Sequence, residues 1–142
     1  MASVEWYAGN RIRPIKGFEG TGQTFHAGDL VDLDTSGNVI IATAGNIQGI
    51  ARQHATGTNG SLIDWEPIAC DGIYVASYHT DETAQALIGD CLDFTFTVGA
   101  HTLDEDSATT DCYCVGLRDP AGTASGRLLI RFPYTLFTWP AD

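Results

Sequence analysis

Positive charge is scarce in this chain. Seven basic side chains, of which only Lys16 is a lysine, face eighteen acidic ones, and the formal charge is −11. A surface of that sign repels nucleic acid and anionic membrane, so neither is expected as a partner. Long apolar runs are missing too, since no stretch approaches the roughly 18 residues needed to cross a bilayer. The start, Met-Ala-Ser-Val-Glu-Trp-Tyr, carries an acid and no run of signal-peptide length. This pattern predicts a protein made and kept in the cytosol, where Cys70, Cys91, Cys112 and Cys114 stay reduced and serve mostly as core thiols.

Catalytic and cofactor signatures are equally sparse. No G-x-x-x-x-G-K, G-x-G-x-x-G or H-E-x-x-H element occurs, and the nearest approach to a nucleophile elbow, Gly122-Thr123-Ala124-Ser125-Gly126, has Ala124 where the nucleophile belongs. Zinc sites pair their ligands at short gaps, whereas Cys112-Tyr113-Cys114 has no second close pair; in a strand both thiols share one face, which suits a core. Asp104-Glu105-Asp106 with Asp111 lacks the glycine and terminal glutamate of a calcium loop and reads as a solvated acidic loop. A biotin- or lipoate-carrying domain needs a lysine at a hairpin tip, but Lys16 lies near the chain start. His26, His54, His79 and His101 sit in separate segments and read as surface or turn histidines unless several converge in one pocket. The expectation is a non-enzyme without cofactor or metal.

What is present is glycine, at 16 residues of 142, and short alternating apolar runs, enough for one domain with a substantial core. Leu30 to Leu33, Val39 to Ala42, Ile47 to Ala51, Leu62 to Ala69, Ile73 to Tyr78, Leu92 to Val98, Cys112 to Leu117 and Arg127 to Phe132 read as strands, divided by turns such as Thr35-Ser36-Gly37-Asn38 and the hairpin signal Asp71-Gly72. One short helix is expected at about 81–88, with its cap in Thr80 to Thr83 and its stop at Gly89. The fold predicted is mainly all-β, a single small barrel or sandwich of eight to ten strands. Residues 1–23 read as an extended N-terminal arm holding Trp6, Tyr7, Arg11, Arg13 and Lys16; 24–133 form the β domain; and 134–142 form a tail whose Tyr134, Leu136, Phe137 and Trp139 are too apolar for a free end.

The small residues carry a further pattern. Gly28-Asp29-Leu30-Val31, then Gly37-Asn38-Val39, Ala42, Gly45, Gly49-Ile50-Ala51, Ala55, Gly57 and Gly72 resemble the β-rich core of small phage head-decoration, or capsid cement, proteins over about residues 25–75. The resemblance implies a structural virion protein, made in the host cytoplasm and bound to the capsid exterior, with the major capsid protein and further copies of itself as partners. A trimer is favoured over a dimer, because capsids offer local threefold sites and the apolar tail needs covering. Trp6, Tyr7, Arg11, Arg13, Lys16, Tyr134, Leu136, Phe137 and Trp139 are the predicted contact residues. The alternative is a carbohydrate- or receptor-binding module of a phage fibre, with Trp65, Tyr74 or Tyr78 stacking on sugars.

Overall fold

The computed structural model describes residues 3–79, 81–105 and 110–133, and over these the chain is nearly all β. Its strands are β1 (Val4–Ala8), β2 (Ile15–Phe18), β3 (Leu30–Leu33), β4 (Val39–Ile41), β5 (Gly49–Ala51), β6 (Leu62–Pro67), β7 (Ile73–Tyr78), β8 (Cys91–Thr97), β9 (Ala100–Asp104), β10 (Cys112–Leu117) and β11 (Arg127–Arg131). Six of them form a sheet in the order β1-β7-β11-β10-β8-β9. Within it β9 returns to pair in parallel with Ser77 and Tyr78 of β7, which closes β7, β11, β10, β8 and β9 into a barrel. The others form a curled sheet, β2-β6-β5-β3-β4, whose edges meet at a bridge between Glu19 and Val39.

Strict alternation places the cores. In β7 and β8, Tyr74, Ala76, Tyr78, Leu92 and Phe94 turn inward to join Leu103, Cys112, Cys114, Leu128 and Ile130, while the residues between them face out. A smaller core of Phe25, Val31, Val39, Ala51, Ile63 and Trp65 fills the curled sheet. Strands β3 and β5 are the shared wall: Leu30 and Ile50 point into the first core, and Val31 and Ala51 into the second. Gly49 and Gly17 make room for the large indole between them. A Cβ at Gly49 would lie 2.5 Å from Trp65 Cε3, and one at Gly17 would lie 2.7 Å from Trp65 Nε1.

Several expectations are corrected by this arrangement. The described residues of the predicted arm do not form one, because β1 pairs with β7 and β2 with β6, and Val4 is buried in the first core. The described folded unit therefore begins before residue 24. Eleven strands among the described residues replace the eight to ten expected; besides β1 and β2, β9 is new, and it follows β8 through the two-residue turn Val98-Gly99. Asp71-Gly72 does make a turn, pinned by the Ala69 N–H donating to Tyr74 Oη at 2.9 Å, yet β6 and β7 on either side belong to different sheets.

The helix at 81–88 is a single 3-10 turn, Gln85–Leu87, among the described residues. Thr83, which would have capped it, instead donates its hydroxyl to the Pro120 carbonyl and accepts the Thr123 N–H. The five residues left before Gly89 are too few to sustain an α-helix.

Candidate functional site

Residues 9–18 cross from one sheet to the other and present an exposed strip. Asn10 bonds Asp71, the Trp6 indole donates to the Asn10 carbonyl, and Arg11 forks onto Glu66, so the crossing is fixed at its start. Beyond it Ile12, Ile15 and Phe18 are exposed at 42%, 46% and 55%, with Arg13 and Lys16 between them. Antiparallel register sets Leu62, 57% exposed, directly opposite Phe18, and Asp64 opposite Lys16. An outward apolar cross-strand pair of this kind gains nothing from solvent and is suited to burial by a partner.

The predicted contact residues are separated by the fold. Arg13 and Lys16 lie in the strip; Lys16 pairs with Asp64 at 2.8 Å, both groups well exposed, an ion pair of little strength. Trp6 and Arg11 are drawn away into a cleft, the guanidinium 5.1 Å from the indole centroid. Tyr7 stands on the outer face of the six-stranded sheet under Arg118. Tyr134, Leu136, Phe137 and Trp139 lie outside the described residues. Ile12, Ile15 and Phe18 fall in the segment read as an arm, whose basic and aromatic residues carried the signal, and Leu62 opens a run read as a strand; only the pairing of β2 with β6 reveals that Phe18 and Leu62 face out together.

Four buried carboxylates brace the loops around this framework. Glu19 accepts the Thr56 N–H and hydroxyl and the Gly57 N–H, holding the 55–60 loop. Asp29 accepts from Ser3 Oγ and from the His26 and Gly99 N–H groups. Glu66 receives both Arg11 and Arg52. Asp111, expected in a solvated acidic loop, is buried and takes the Gly45 and Phe94 N–H groups; burial raises its pKa from the ordinary value. His101 is the exception among the histidines. It is buried, its Nδ1 accepts the Leu30 N–H, and its Nε2 lies 3.8 Å from Asp29; burial lowers its pKa against the opposing pull of that carboxylate.

Cys112 and Cys114 are buried as expected, with thiol pKa values raised by burial, while Cys70 and Cys91 are only half-buried; all four are free.

No protein-family model matches the chain, and no curated protein does. Among solved structures, the chain is similar to the N base of head fiber gp8.5 of bacteriophage phi29, with a TM-score of 0.52 over 85% of this chain and 95% of that one. The two share a fold. They are 12% identical in sequence, so the likeness is one of architecture and assigns no role to any single side chain.

Proposed function

We propose that this chain is a structural protein of a phage virion, assembled in the host cytoplasm and seated on the outside of the head, where it stabilises the shell. The observation that carries the reading is the likeness in fold to a head fiber base, which spans nearly all of that chain. The glycine-turn pattern of residues 25–75 supports it from the sequence side. Attachment is through the outward face of β2 and β6, where Phe18 and Leu62 stand opposite each other beside the Lys16–Asp64 ion pair, with Ile12 and Arg13 exposed in the crossing that leads to it; a shell subunit offering an apolar spot edged by polar groups is its complement.

Self-association into a trimer is part of the same proposal. The outer face of the six-stranded sheet carries Tyr7, Tyr113 and Val115 uncovered, a surface that neighbouring copies would bury.

Changing Phe18 and Leu62 together to Ser tests the attachment. Both side chains are more than half exposed, so melting temperature should hold within a degree or two while binding to undecorated heads falls at least about tenfold. Unchanged binding would move the contact surface elsewhere. A fibre module is the second reading, favoured by the same match, because the similar structure is itself the base of a fiber. Sugar stacking by Trp65, Tyr74 or Tyr78 has no place in it, since all three are buried.

A further inference from the structure

Where the two sheets adjoin, Trp6, Arg11, His26, Arg52 and His54 converge on an open cleft of about 710 Å³, a size typical of small-molecule sites. Each is set by its surroundings. Arg11 donates from Nε and Nη2 to the two oxygens of buried Glu66, at 3.1 and 2.9 Å, and lies over the Trp6 ring. Arg52 reaches the same carboxylate only through Nη1, at 3.6 Å, beyond a hydrogen bond. One carboxylate between two guanidiniums leaves a positive charge over, and Arg52 lines the cleft with its side chain 40% exposed. Glu5 also borders the cleft, but strand alternation turns its side chain to the opposite face from Trp6, where its charge acts on Arg127.

The imidazoles complete the wall. His54 Nδ1 accepts the Ala27 N–H at 3.2 Å, which puts the hydrogen of the neutral ring on Nε2 as a donor. His26 meets it edge-on, with ring centroids 4.8 Å apart, and packs against Gly99, where a Cβ would come within 2.7 Å of His26 Nδ1. The cleft thus combines an under-used guanidinium fork, an imidazole N–H and a second imidazole that can accept or donate, on a protein that elsewhere repels anions.

We infer that this cleft binds a small carboxylate carrying neighbouring hydroxyl groups, a sugar acid in chemical class. Arg52 takes the carboxylate with its planar fork, His54 donates to it or to an adjacent hydroxyl, and His26 bonds a second hydroxyl. The Glu66 carboxylate, already forked by Arg11, holds the cationic wall in place rather than competing for the ligand. The inference stands independently of attachment to a phage head.

Nuclear magnetic resonance of the full chain tests it, with sodium D-glucuronate as the probe at constant ionic strength. The Trp6 indole N–H, the His54 ring and the amides of Gly28 and Gly99 should shift saturably, with a dissociation constant on the order of 1 mM for a ligand of this size. Arg52→Gln should weaken binding at least about tenfold without lowering the melting temperature, because Arg11 still neutralises Glu66; Arg52→Lys, which keeps charge but loses the fork, should fall between. Glucose should give no saturable shift, and acetate a weaker one. Wild-type affinity in Arg52→Gln, or no saturable shift with glucuronate at roughly 50 mM, far above a millimolar constant, would overturn the site. Acetate binding as tightly as glucuronate, or a tetraglutamate peptide binding the same residues more tightly, would overturn the ligand class.

Discussion

Deleting residues 1–8 separates a folded strand from a free arm. Val4 is 1% exposed within the main core, and truncating it to Ala removes two buried methyl groups, at a cost of about 2 kcal/mol. The whole deletion also takes away Ser3 Oγ, which donates to Asp29 and accepts the His101 N–H, and the indole beneath Arg11. With roughly 1 kcal/mol for each hydrogen bond and somewhat less for the cation–π contact, the loss approaches about 5 kcal/mol. A domain of this size holds about 5–15 kcal/mol in all, so the truncated chain should be marginal. In urea, with a slope of about 2 kcal/mol per molar, Val4→Ala should lower the unfolding midpoint by about 1 M and the deletion by more than 2 M. Equal midpoints for the full and truncated proteins would show that the segment is an appendage after all.

Other outcomes follow from the buried groups. The folded pKa of His101 is lowered by burial, so its contribution to stability is complete above the unfolded value near 6.5 and is lost as pH falls below it. The melting temperature of wild type should therefore drop between about pH 6.5 and 5 more steeply than that of His101→Gln, and parallel curves would refute this. Asp119 is held at about 2 by the side-chain fork of Arg127, so its stabilisation is present above the ordinary carboxylate range and disappears only as pH falls through about 2; a carboxyl resonance titrating near 4 would contradict the pair. Thiol counting should find four free groups, with Cys70 and Cys91 reacting in the native state and Cys112 and Cys114 only after unfolding; a native-state count of four fast thiols would place the last two outside the core.

The all-β class was legible in the sequence wherever strand and turn agreed locally. Alternation from Leu92 to Thr97 and the turn after Leu33, whose Asp34 accepts the Ser36 and Asn38 N–H groups, needed nothing from the rest of the chain. Long-range pairing was not legible. Val4-x-Trp6 has the same alternation as β8, but two inward residues beside a basic cluster carry too weak a signal against the expectation of a loose end, and the acids that receive Arg11 and Lys16 lie about fifty residues away at Glu66 and Asp64.

The candidate site shows the same limit. Arg13 and Lys16 were singled out by charge alone, whereas Phe18 and Leu62 became surface residues only through the register of β2 on β6. His26 and His54, 28 positions apart, meet because the Ala27 and Gly28 N–H groups of the turn after Phe25 donate to His54 Nδ1 and to the Ala51 carbonyl. The buried Asp111 and His101 contradict the surface roles their residue types suggest; their partners are backbone N–H groups, which leave no trace in composition.

Co-sedimentation with purified phage heads is the most direct measurement of the central claim. Undecorated heads of the parent phage, mixed with excess protein and pelleted, should carry the chain down in a saturating and fixed ratio to the major shell subunit, and decorated heads should survive heating or dilution that opens bare ones. A chain that remains in the supernatant at every concentration, or pellets without saturating and leaves the heads no more stable, would contradict a role on the head exterior.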